Sequence, residues 1–126
     1  LCLGAGSAVA VDIDPKAVDV AYENAAFNSI GKDRYTVRAG NVLSDAALAR
    51  ELAQRSYHLV LANIVADVII PLAPQLPNLL EEDGVFLCSG IIDTRTHEVE
   101  SALQKAGLTV TKKREKHGWA ALEATK

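Results

Sequence analysis

The chain has 126 residues, 49% of them hydrophobic and 23% charged, which is the balance expected of one globular domain with a single core. Its formal net charge of −3 argues against a nucleic-acid-binding protein, and we interpret the one basic run, at residues 112–114 and 116, as a solvated strand end. The cysteines and histidines lack metal-ligand spacing, and neither a signal peptide nor an apolar run of about 18 residues is present, so we expect a cytoplasmic protein without a metal site or a membrane span.

The hydrophobic pattern alternates between short apolar runs and longer amphipathic stretches separated by turn residues. In chain order it predicts a strand at 8–13, a helix at 15–28, a strand at 35–39, a helix at 45–54, a strand at 59–62, a proline-containing helical stretch at 66–80, a strand at 85–89, a helix at 94–106, and strands at 108–113 and 119–124. Alternating strands and helices form an open, mostly parallel sheet with helices on both faces, and the short final link adds an antiparallel strand at the edge. We therefore predict an α/β, Rossmann-like three-layer sandwich over residues 1–126.

Helix and turn signals mark several boundaries of these elements. Asp14 is the expected N-cap of the first helix, because Pro15 fits the first helical position. Ser44 is expected to cap the second helix, and Gly107 to follow the end of the last one. The apolar run at 59–62 is predicted to be a buried strand, and residues 83–84 are predicted to form a turn.

Asp12 ends the first predicted strand, at the edge of the sheet where ligands bind in this class of fold. A carboxylate there can accept hydrogen bonds from both ribose hydroxyls of an adenosine cofactor. The alternative is that Asp12 shares the capping of the helix with Asp14. Because Asp14 directly precedes Pro15 and is better placed for capping, we predict that Asp12 binds the ribose.

Two asparagines stand at the ends of the next two strands. The side chain of Asn41 could face the adenine edge, or Asn41 could simply be tolerated in the tight turn after Gly40, and both interpretations stay open. Asn63 ends the third strand, where its amide brings a donor and an acceptor to the predicted site of chemistry.

The glycines near the start of the chain do not fit a cofactor-binding loop. In such a loop a helix separates the glycines from the acid, which follows about 20 residues on. Gly6 precedes Asp12 by only six residues, and a parallel crossover needs about a dozen. We interpret Gly4 and Gly6 as the end of a helix and the turn into the first strand, so the glycine-rich loop and the strand before it are missing.

Taken together, these residues resemble a class I S-adenosylmethionine-dependent methyltransferase, and more narrowly the PrmA family of ribosomal protein L11 methyltransferases. The resemblance covers essentially the whole chain. Many methyltransferases share the Val-Asp-Ile-Asp-Pro segment at 11–15, whereas Ala-Asn-Ile-Val-Ala at 62–66 together with Ser-Gly-Ile at 89–91 is much more specific.

The resemblance implies a role for several positions. Asp12 and Ile13 match the segment that binds the cofactor, with Asp12 as the ribose-binding acid. Asn63 matches the catalytic asparagine near the methyl donor and the acceptor amine. Asn41 stands where the family often has an acid near the adenine, so this position departs from the pattern. His58 stands where an aspartate is common, and we interpret it as a surface or packing residue.

The resemblance also implies a reaction and its partners. S-adenosyl-L-methionine would donate methyl groups to lysine ε-amines and an N-terminal α-amine of a large-subunit ribosomal protein, with no direct nucleic-acid partner. The family's N-terminal substrate-recognition domain is absent from this sequence, as is its glycine-rich loop. Without the strand before that loop, the strands that begin near Ala8 and Leu59 would each lose a partner, so we expect the chain to be a piece of a longer protein.

Three alternatives remain at this point. The chain could be another class I methyltransferase, or an inactive fragment that serves only as a folding or association module. A nicotinamide-dependent dehydrogenase shares the strand-end acid and the fold, but it needs an intact G-x-G-x-x-G loop. It also leaves Asn63 without a role.

Overall fold

The computed structural model describes residues 1–126 as two compact units, Leu1–Ala49 and Arg50–Lys126. The first unit contains two parallel strands, β1 (Ala8–Asp12) and β2 (Tyr35–Ala39), joined by helix α1 (Pro15–Phe27). All five residues of β1 pair in register with β2, from Ala8 opposite Tyr35 to Asp12 opposite Ala39. These three elements match the predicted ones to within one residue at each end.

Side chains fasten α1 at its start and against β2. The Asp14 carboxylate accepts a hydrogen bond from the Lys16 amide at 2.9 Å, so the predicted N-cap is confirmed. Further along the helix, the Tyr22 hydroxyl oxygen accepts the Val37 amide at 2.9 Å. The Tyr22 ring also packs edge-on against Tyr35, with centroids 6.1 Å apart. The sequence pattern placed Tyr22 on the packed face of the helix, and the structure shows that it also satisfies a strand amide.

The cap of the second helix differs from the prediction. Helix α2 spans Ala46–Leu52, and it is Asp45, not Ser44, whose carboxylate accepts the Leu48 amide at 3.0 Å. An N-cap side chain bonds the amide two or three residues into the helix, and Asp45 is the residue that directly precedes the first turn. The helix also ends at Leu52, two residues before the expected end.

The segment before β1 forms turns, and the expected helix end is not observed. Gly4 has φ +109° and its amide bonds to the Leu1 carbonyl at 3.3 Å. The Arg34 guanidinium then donates to the carbonyls of Ala5 and Gly6, at 2.9 and 3.2 Å. The turn into the strand is therefore confirmed, and it is held by an arginine that the sequence pattern did not single out.

The second unit contains a four-stranded sheet in the order β3-β4-β6-β5. Its strands are β3 (Tyr57–Asn63), β4 (Leu80–Ile92), β5 (Thr109–Lys116) and β6 (Trp119–Thr125). β3 and β4 are parallel, and β6 runs antiparallel to both β4 and β5. The terminal antiparallel strand is thus confirmed, but it lies inside the sheet and β5 forms the edge. The strands β5 and β6 are joined by a tight turn at His117 and Gly118, both with positive φ.

The strands β1 and β3 each pair with a single neighbouring strand. β1 is hydrogen-bonded to β2 alone, and β3 is hydrogen-bonded to β4 alone.

The predicted helical stretch at 66–80 is three short segments: α3 (Ala66–Leu72), a 3-10 turn (Ala73–Gln75) and α4 (Leu76–Leu79). Prolines at 71, 74 and 77 interrupt it, since proline removes a backbone donor and clashes with the preceding turn. The next helix, α5 (Thr96–Lys105), follows a 3-10 turn at Asp93–Arg95. Gly107 follows it with φ +96°, and its amide bonds to the Gln104 carbonyl at 3.0 Å, as expected at this position.

The core of this unit lies on one face of its sheet. The fully buried side chains come from β4 and β6 and from the helical segments that pack on them, and the largest are Phe86, Ile69, Leu76, Leu80, Ile91, Leu103 and Leu122. On β3, Val60 and Ala62 pack against this core, whereas Leu59 and Leu61 are 49% and 68% exposed. The predicted burial of β3 is therefore wrong for the face that carries Leu59 and Leu61, because the helices of the unit pack on the opposite face of the sheet. None of the helices combines the length and apolar character needed to cross a membrane.

A bulge in β4 replaces the turn predicted at residues 83–84. Tyr57 pairs with Leu80 and Leu59 pairs with Val85, so residues 81–84 all lie opposite one residue of β3. The chain is tight here: a Cβ at Gly84 would lie 2.9 Å from the Glu81 carbonyl oxygen and 3.0 Å from that of Tyr57. Both contacts are with backbone atoms, so glycine is required at this position.

We predict that Gly84→Ala lowers the free energy of unfolding by about 1–3 kcal/mol, because the added methyl group must displace backbone. Gly6→Ala is the matched control, since a Cβ at Gly6 meets no atom within 4 Å, and we expect it to change the free energy by no more than about 0.5 kcal/mol. Urea denaturation followed by the fluorescence of Trp119, the single tryptophan, measures both variants. Equal denaturation midpoints for the two variants would contradict the proposed crowding.

Candidate functional site

Asp12 lies at the carboxyl end of β1, where its carboxylate is exposed. Its Oδ1 accepts the Asp14 amide at 2.9 Å, while Asp14 uses its own carboxylate to cap α1. The two acids therefore have separate tasks, and the backbone contact fixes the plane of the Asp12 carboxylate. An ionised carboxylate has about four acceptor positions, so one amide leaves room for two hydroxyl donors.

The residues around Asp12 shape the same strand end. Ile13 follows directly and its side chain is 75% exposed, which offers an apolar surface beside the carboxylate. The Asp12 carbonyl accepts the Gly40 amide at 2.9 Å and so ties the ends of β1 and β2 together. A planar apolar group and a polar sugar could be bound side by side here.

Asn41 follows β2, and its side chain takes part in the turn. Its Oδ1 accepts the Leu43 amide at 3.0 Å, and its carbonyl accepts the Asp45 amide at 2.8 Å. Of the two interpretations left open, the turn accounts for the carbonyl oxygen of the side chain. The Nδ2 group of Asn41 remains a hydrogen-bond donor at the strand end. A ring nitrogen of adenine is a hydrogen-bond acceptor and could bind such a donor.

Asn63 lies at the carboxyl end of β3, opposite Ser89 of β4. The Ser89 hydroxyl donates to Asn63 Oδ1 at 3.2 Å, and the Ser89 carbonyl accepts the Ile64 amide at 3.2 Å. Gly90 follows with φ +79°, and a Cβ there would lie 2.7 Å from Asn63 Oδ1. The Asn63 amide thus rests against a residue that has to be glycine.

In the sequence, Ser89 and Gly90 stand out only as part of the Ser-Gly-Ile motif of the family, which indicates no role for them at the site. Their spacing from Asn63 carries no periodic signal, because the contact depends on the register of β4 against β3. A glycine directly after an apolar strand is the one hint in the sequence, since it marks a bend or a close approach of another group.

An ion-pair network braces the segments that follow β3 and β4. Arg95 bonds Asp67 of α3 at 2.9 Å and Glu98 of α5 at 2.9 and 3.0 Å. The hydrogen bonds to Glu98 and to Asp67 raise the pKa of Arg95, so its charge is retained at every relevant pH. This network links the starts of α3 and α5, the two helices that begin beyond the strand ends.

An open depression of about 510 Å³ lies on the second unit and includes Asn63 and Ser89 in its wall. Its other lining residues include the exposed Leu61 and Leu87 and the basic Lys112 and Arg114; Lys112 lies 4.0 Å from Glu123. A second depression, of about 690 Å³, is lined by residues such as His58 and Glu81, whose side chains are 3.3 Å apart. The His58 side chain is 91% exposed, as expected for a surface residue.

Comparison with known proteins identifies the family of the chain that carries these residues. A family model described as ribosomal protein L11 methyltransferase (PrmA) matches residues 1–126. The chain belongs to this family. The family match confirms the resemblance found in the sequence, and it removes the nicotinamide-dependent dehydrogenase from consideration.

Relatives in the PrmA family match the chain over most of its length. The ribosomal protein L11 methyltransferase of Agathobacter rectalis is 37% identical over 126 residues, which are 100% of this chain and 39% of the relative. That of Desulfitobacterium hafniense is 44% identical over 115 residues, or 91% of this chain and 34% of the relative. The chain therefore spans little more than a third of the length of these curated relatives.

A solved structure confirms the fold. The ribosomal protein L11 methylase of Lactobacillus delbrueckii subsp. bulgaricus superimposes with a TM-score of 0.85 at 30% identity, covering 99% of this chain and 60% of that one. The Rossmann-like α/β fold with a mixed sheet, predicted from the alternation of strands and helices, is thus confirmed.

The buried cysteine of this PrmA-family chain has an unreactive thiol. Cys88 lies on the core face of β4 and is 2% exposed. Burial raises the pKa of its thiol to about 11, against a smaller opposing effect of a hydrogen bond from Leu122. Because the thiolate is the reactive form, Cys88 stays a neutral thiol at physiological pH and adds no nucleophile next to Ser89.

We predict that iodoacetamide at pH 8 modifies Cys2, which is exposed, and leaves Cys88 unmodified in the folded chain. The pKa of Cys88 is raised, so its thiol is protonated below a pH of about 11 and becomes reactive only when the chain unfolds or the pH rises to that value. Intact mass spectrometry counts the adducts, with a urea-unfolded sample as the control that should show both. Two adducts on the folded chain would contradict this prediction.

Proposed function

We propose that the protein containing this chain is a protein N-methyltransferase that uses S-adenosyl-L-methionine to methylate ribosomal protein L11. The single observation that carries this proposal is the match of the PrmA family model to residues 1–126. Residues 1–126 would form part of the methyltransferase domain, and the target would be reached in the cytoplasm, where ribosomes are assembled. A remaining part of the protein would recognise the ribosomal protein.

The first unit would bind the adenosine part of the cofactor. Asp12 Oδ2 would accept hydrogen bonds from the ribose hydroxyls, because Oδ1 already accepts the Asp14 amide. Ile13 would cover one side of the adenine, and the Nδ2 group of Asn41 would donate to its edge.

The second unit would hold the acceptor amine. The cofactor would supply a methyl group on a positively charged sulfur, and the amine lone pair would attack the methyl carbon in line, with the neutral thioether as the leaving group. The carbon–nitrogen bond forms as the carbon–sulfur bond breaks, and the product ammonium group then releases a proton to solvent. A free lysine has a pKa of about 10.4, so the amine has to become neutral before it can attack.

Asn63 would aim the amine and would not take its proton. The contacts of its amide are with the Ser89 hydroxyl and with Gly90, which are neutral. Its Oδ1 has a second lone pair that can accept one N–H of the amine and so orient the lone pair of the nitrogen. Desolvation of the amine, and not this bond, would favour its neutral form. Positioning of this kind can lower a reaction barrier by several kcal/mol.

The test uses a chimera in which this chain replaces the matched segment of the Agathobacter rectalis relative. Transfer of labelled methyl groups from S-adenosyl-L-methionine to ribosomal protein L11 by the chimera is the expected result. Methylation of lysine and α-amine positions, mapped by peptide mass spectrometry, would support the finer assignment of acceptors. A chimera that is folded and binds the cofactor but labels other substrates only would favour a different class I methyltransferase.

The inactive-fragment alternative calls for a separate comparison. Calorimetric titration of S-adenosyl-L-methionine into the 126-residue chain and into the chimera shows whether this chain binds the cofactor by itself. Binding by the chimera alone would mean that the chain holds only part of the cofactor site. Absence of binding in both would contradict the proposed role of the first unit.

We predict that Asp12→Ala in the chimera raises the Kd for S-adenosyl-L-methionine at least tenfold, equivalent to about 1.4 kcal/mol, because hydrogen bonds from ribose hydroxyls to a carboxylate are lost. Asp14→Ala is the matched control, since Asp14 caps α1. It should lower the free energy of unfolding by about 1 kcal/mol and leave the Kd of the folded protein unchanged. A tenfold loss of affinity in the control, or none in Asp12→Ala, would contradict the assignment of the ribose to Asp12.

We predict that Asn63→Ala in the chimera lowers kcat for methylation of ribosomal protein L11 by about a hundredfold, because the amine loses the group that orients it. Asn78→Ala, on a residue of α4 that lines the depression around His58, is the control and should keep full activity. Single-turnover assays at saturating cofactor separate the chemical step from cofactor binding. Unchanged turnover of Asn63→Ala would remove Asn63 from the reaction.

A further inference from the structure

The Asn63 amide is held from two sides at the end of β3. On one side, the Ser89 hydroxyl donates to Oδ1 at 3.2 Å. On the other, Gly90 approaches so closely that a Cβ there would lie 2.7 Å from the same oxygen. Both contacts concern Oδ1, so the Nδ2 end of the planar amide is turned away from Ser89 and Gly90.

The backbone keeps these neighbours in place. The pairing of Asn63 with Ser89 continues a parallel register that runs from Leu59 opposite Val85 to this point. The Ile64 amide then bonds to the Ser89 carbonyl at 3.2 Å, so the two strand ends remain side by side one residue further. The backbone therefore keeps Ser89 and Asn63 directly opposite each other.

The contacts at Oδ1 restrict rotation of the Asn63 amide. Its amide can rotate by half a turn and exchange the acceptor Oδ1 with the donor Nδ2 at almost equal volume. The Ser89 hydroxyl could also accept from Nδ2, so its contact with Oδ1 holds the plane of the amide and does not by itself select one of the two orientations. The left-handed backbone of Gly90, with φ +79°, supplies the space in which that oxygen lies.

We propose that Ser89 is a positioning residue for the methyl transfer. Its hydroxyl, together with the close approach of Gly90, holds the Asn63 amide so that one lone pair of Oδ1 stays directed at the acceptor amine. This inference rests on the function proposed for Asn63. Ser89 itself acts through Asn63, since its hydroxyl proton occupies the other lone pair of Oδ1.

The first experiment is a double-mutant cycle in the chimera, measured as kcat and as KM for S-adenosyl-L-methionine. Ser89→Ala should lower kcat roughly three- to tenfold, the range for the loss of one neutral hydrogen bond, and leave KM for the cofactor unchanged. Ser89→Thr keeps the hydroxyl and should restore most of the loss. In an Asn63→Ala background, Ser89→Ala should cause no further loss.

The outcomes separate this inference from the proposed function. Full activity of Asn63→Ala would overturn the role of Asn63 and this inference with it. A large loss in Asn63→Ala with full activity in Ser89→Ala would overturn this inference alone. An equal loss from Ser89→Ala in both backgrounds would also overturn it, because Ser89 would then act independently of Asn63.

A second experiment observes the amide directly in the 126-residue chain. Two-dimensional ¹⁵N–¹H NMR resolves the two Nδ2 protons of Asn63, and Ser89→Ala should shift both signals, whereas Ser56→Ala, next to the opposite end of β3, should shift neither. Gly90→Ala should shift them further, while Gly107→Ala adds a methyl group at a similar φ of +96° with no atom within 4 Å and should leave them unchanged. Unshifted Asn63 signals in both Ser89→Ala and Gly90→Ala would overturn the proposal.

Discussion

The register of β3 against β4 is the constraint on which the site in the second unit depends. Parallel pairing from Leu59 opposite Val85 brings the ends of the two strands together, with Asn63 opposite Ser89. The bulge at residues 81–84 sets this register, because it absorbs the extra residues of β4 before the regular pairing begins. A slip of one residue would turn every side chain to the other face and would separate the hydroxyl from the amide. Gly84, which is crowded by two backbone carbonyls, and Gly90, which lies under the amide, are therefore parts of one arrangement.

The two faces of the β3–β4 sheet have different surroundings. One face carries the core, in which Phe86, Cys88 and Leu122 are almost fully buried. The other leaves Leu59 and Leu61 largely exposed beside the depression that includes Asn63. Burial of the first face also keeps the Cys88 thiol neutral. The end of the sheet that carries Asn63 and Ser89 is thus supported by a buried apolar layer.

The same division between support and function occurs at the end of β1. Asp14 caps α1, and its amide in turn orients the Asp12 carboxylate, so the helix start and the candidate ribose ligand are coupled through one hydrogen bond. Asn41 differs, since its carbonyl oxygen serves the turn and only the opposite end of the amide is offered to a ligand. In a family whose members bind an adenosine cofactor, the expected acid at this position would accept a hydrogen bond, whereas this asparagine would donate one.

The amino-acid sequence by itself determined the order of strands and helices, the cap at Asp14, the turn at Gly107 and the family, because each of these depends on residues close together in the chain or on motifs such as Ala-Asn-Ile-Val-Ala. It misplaced the cap of α2 by one residue, extended one helix through three prolines and expected β3 to be buried on both sides. Only the tertiary structure decided that β6 lies inside the sheet, that one face of β3 stays exposed, and that Ser89 and Gly90 hold Asn63. The physical reason is that these features arise from strand register and from the side on which helices pack, and both are set by contacts between residues that are distant in the chain.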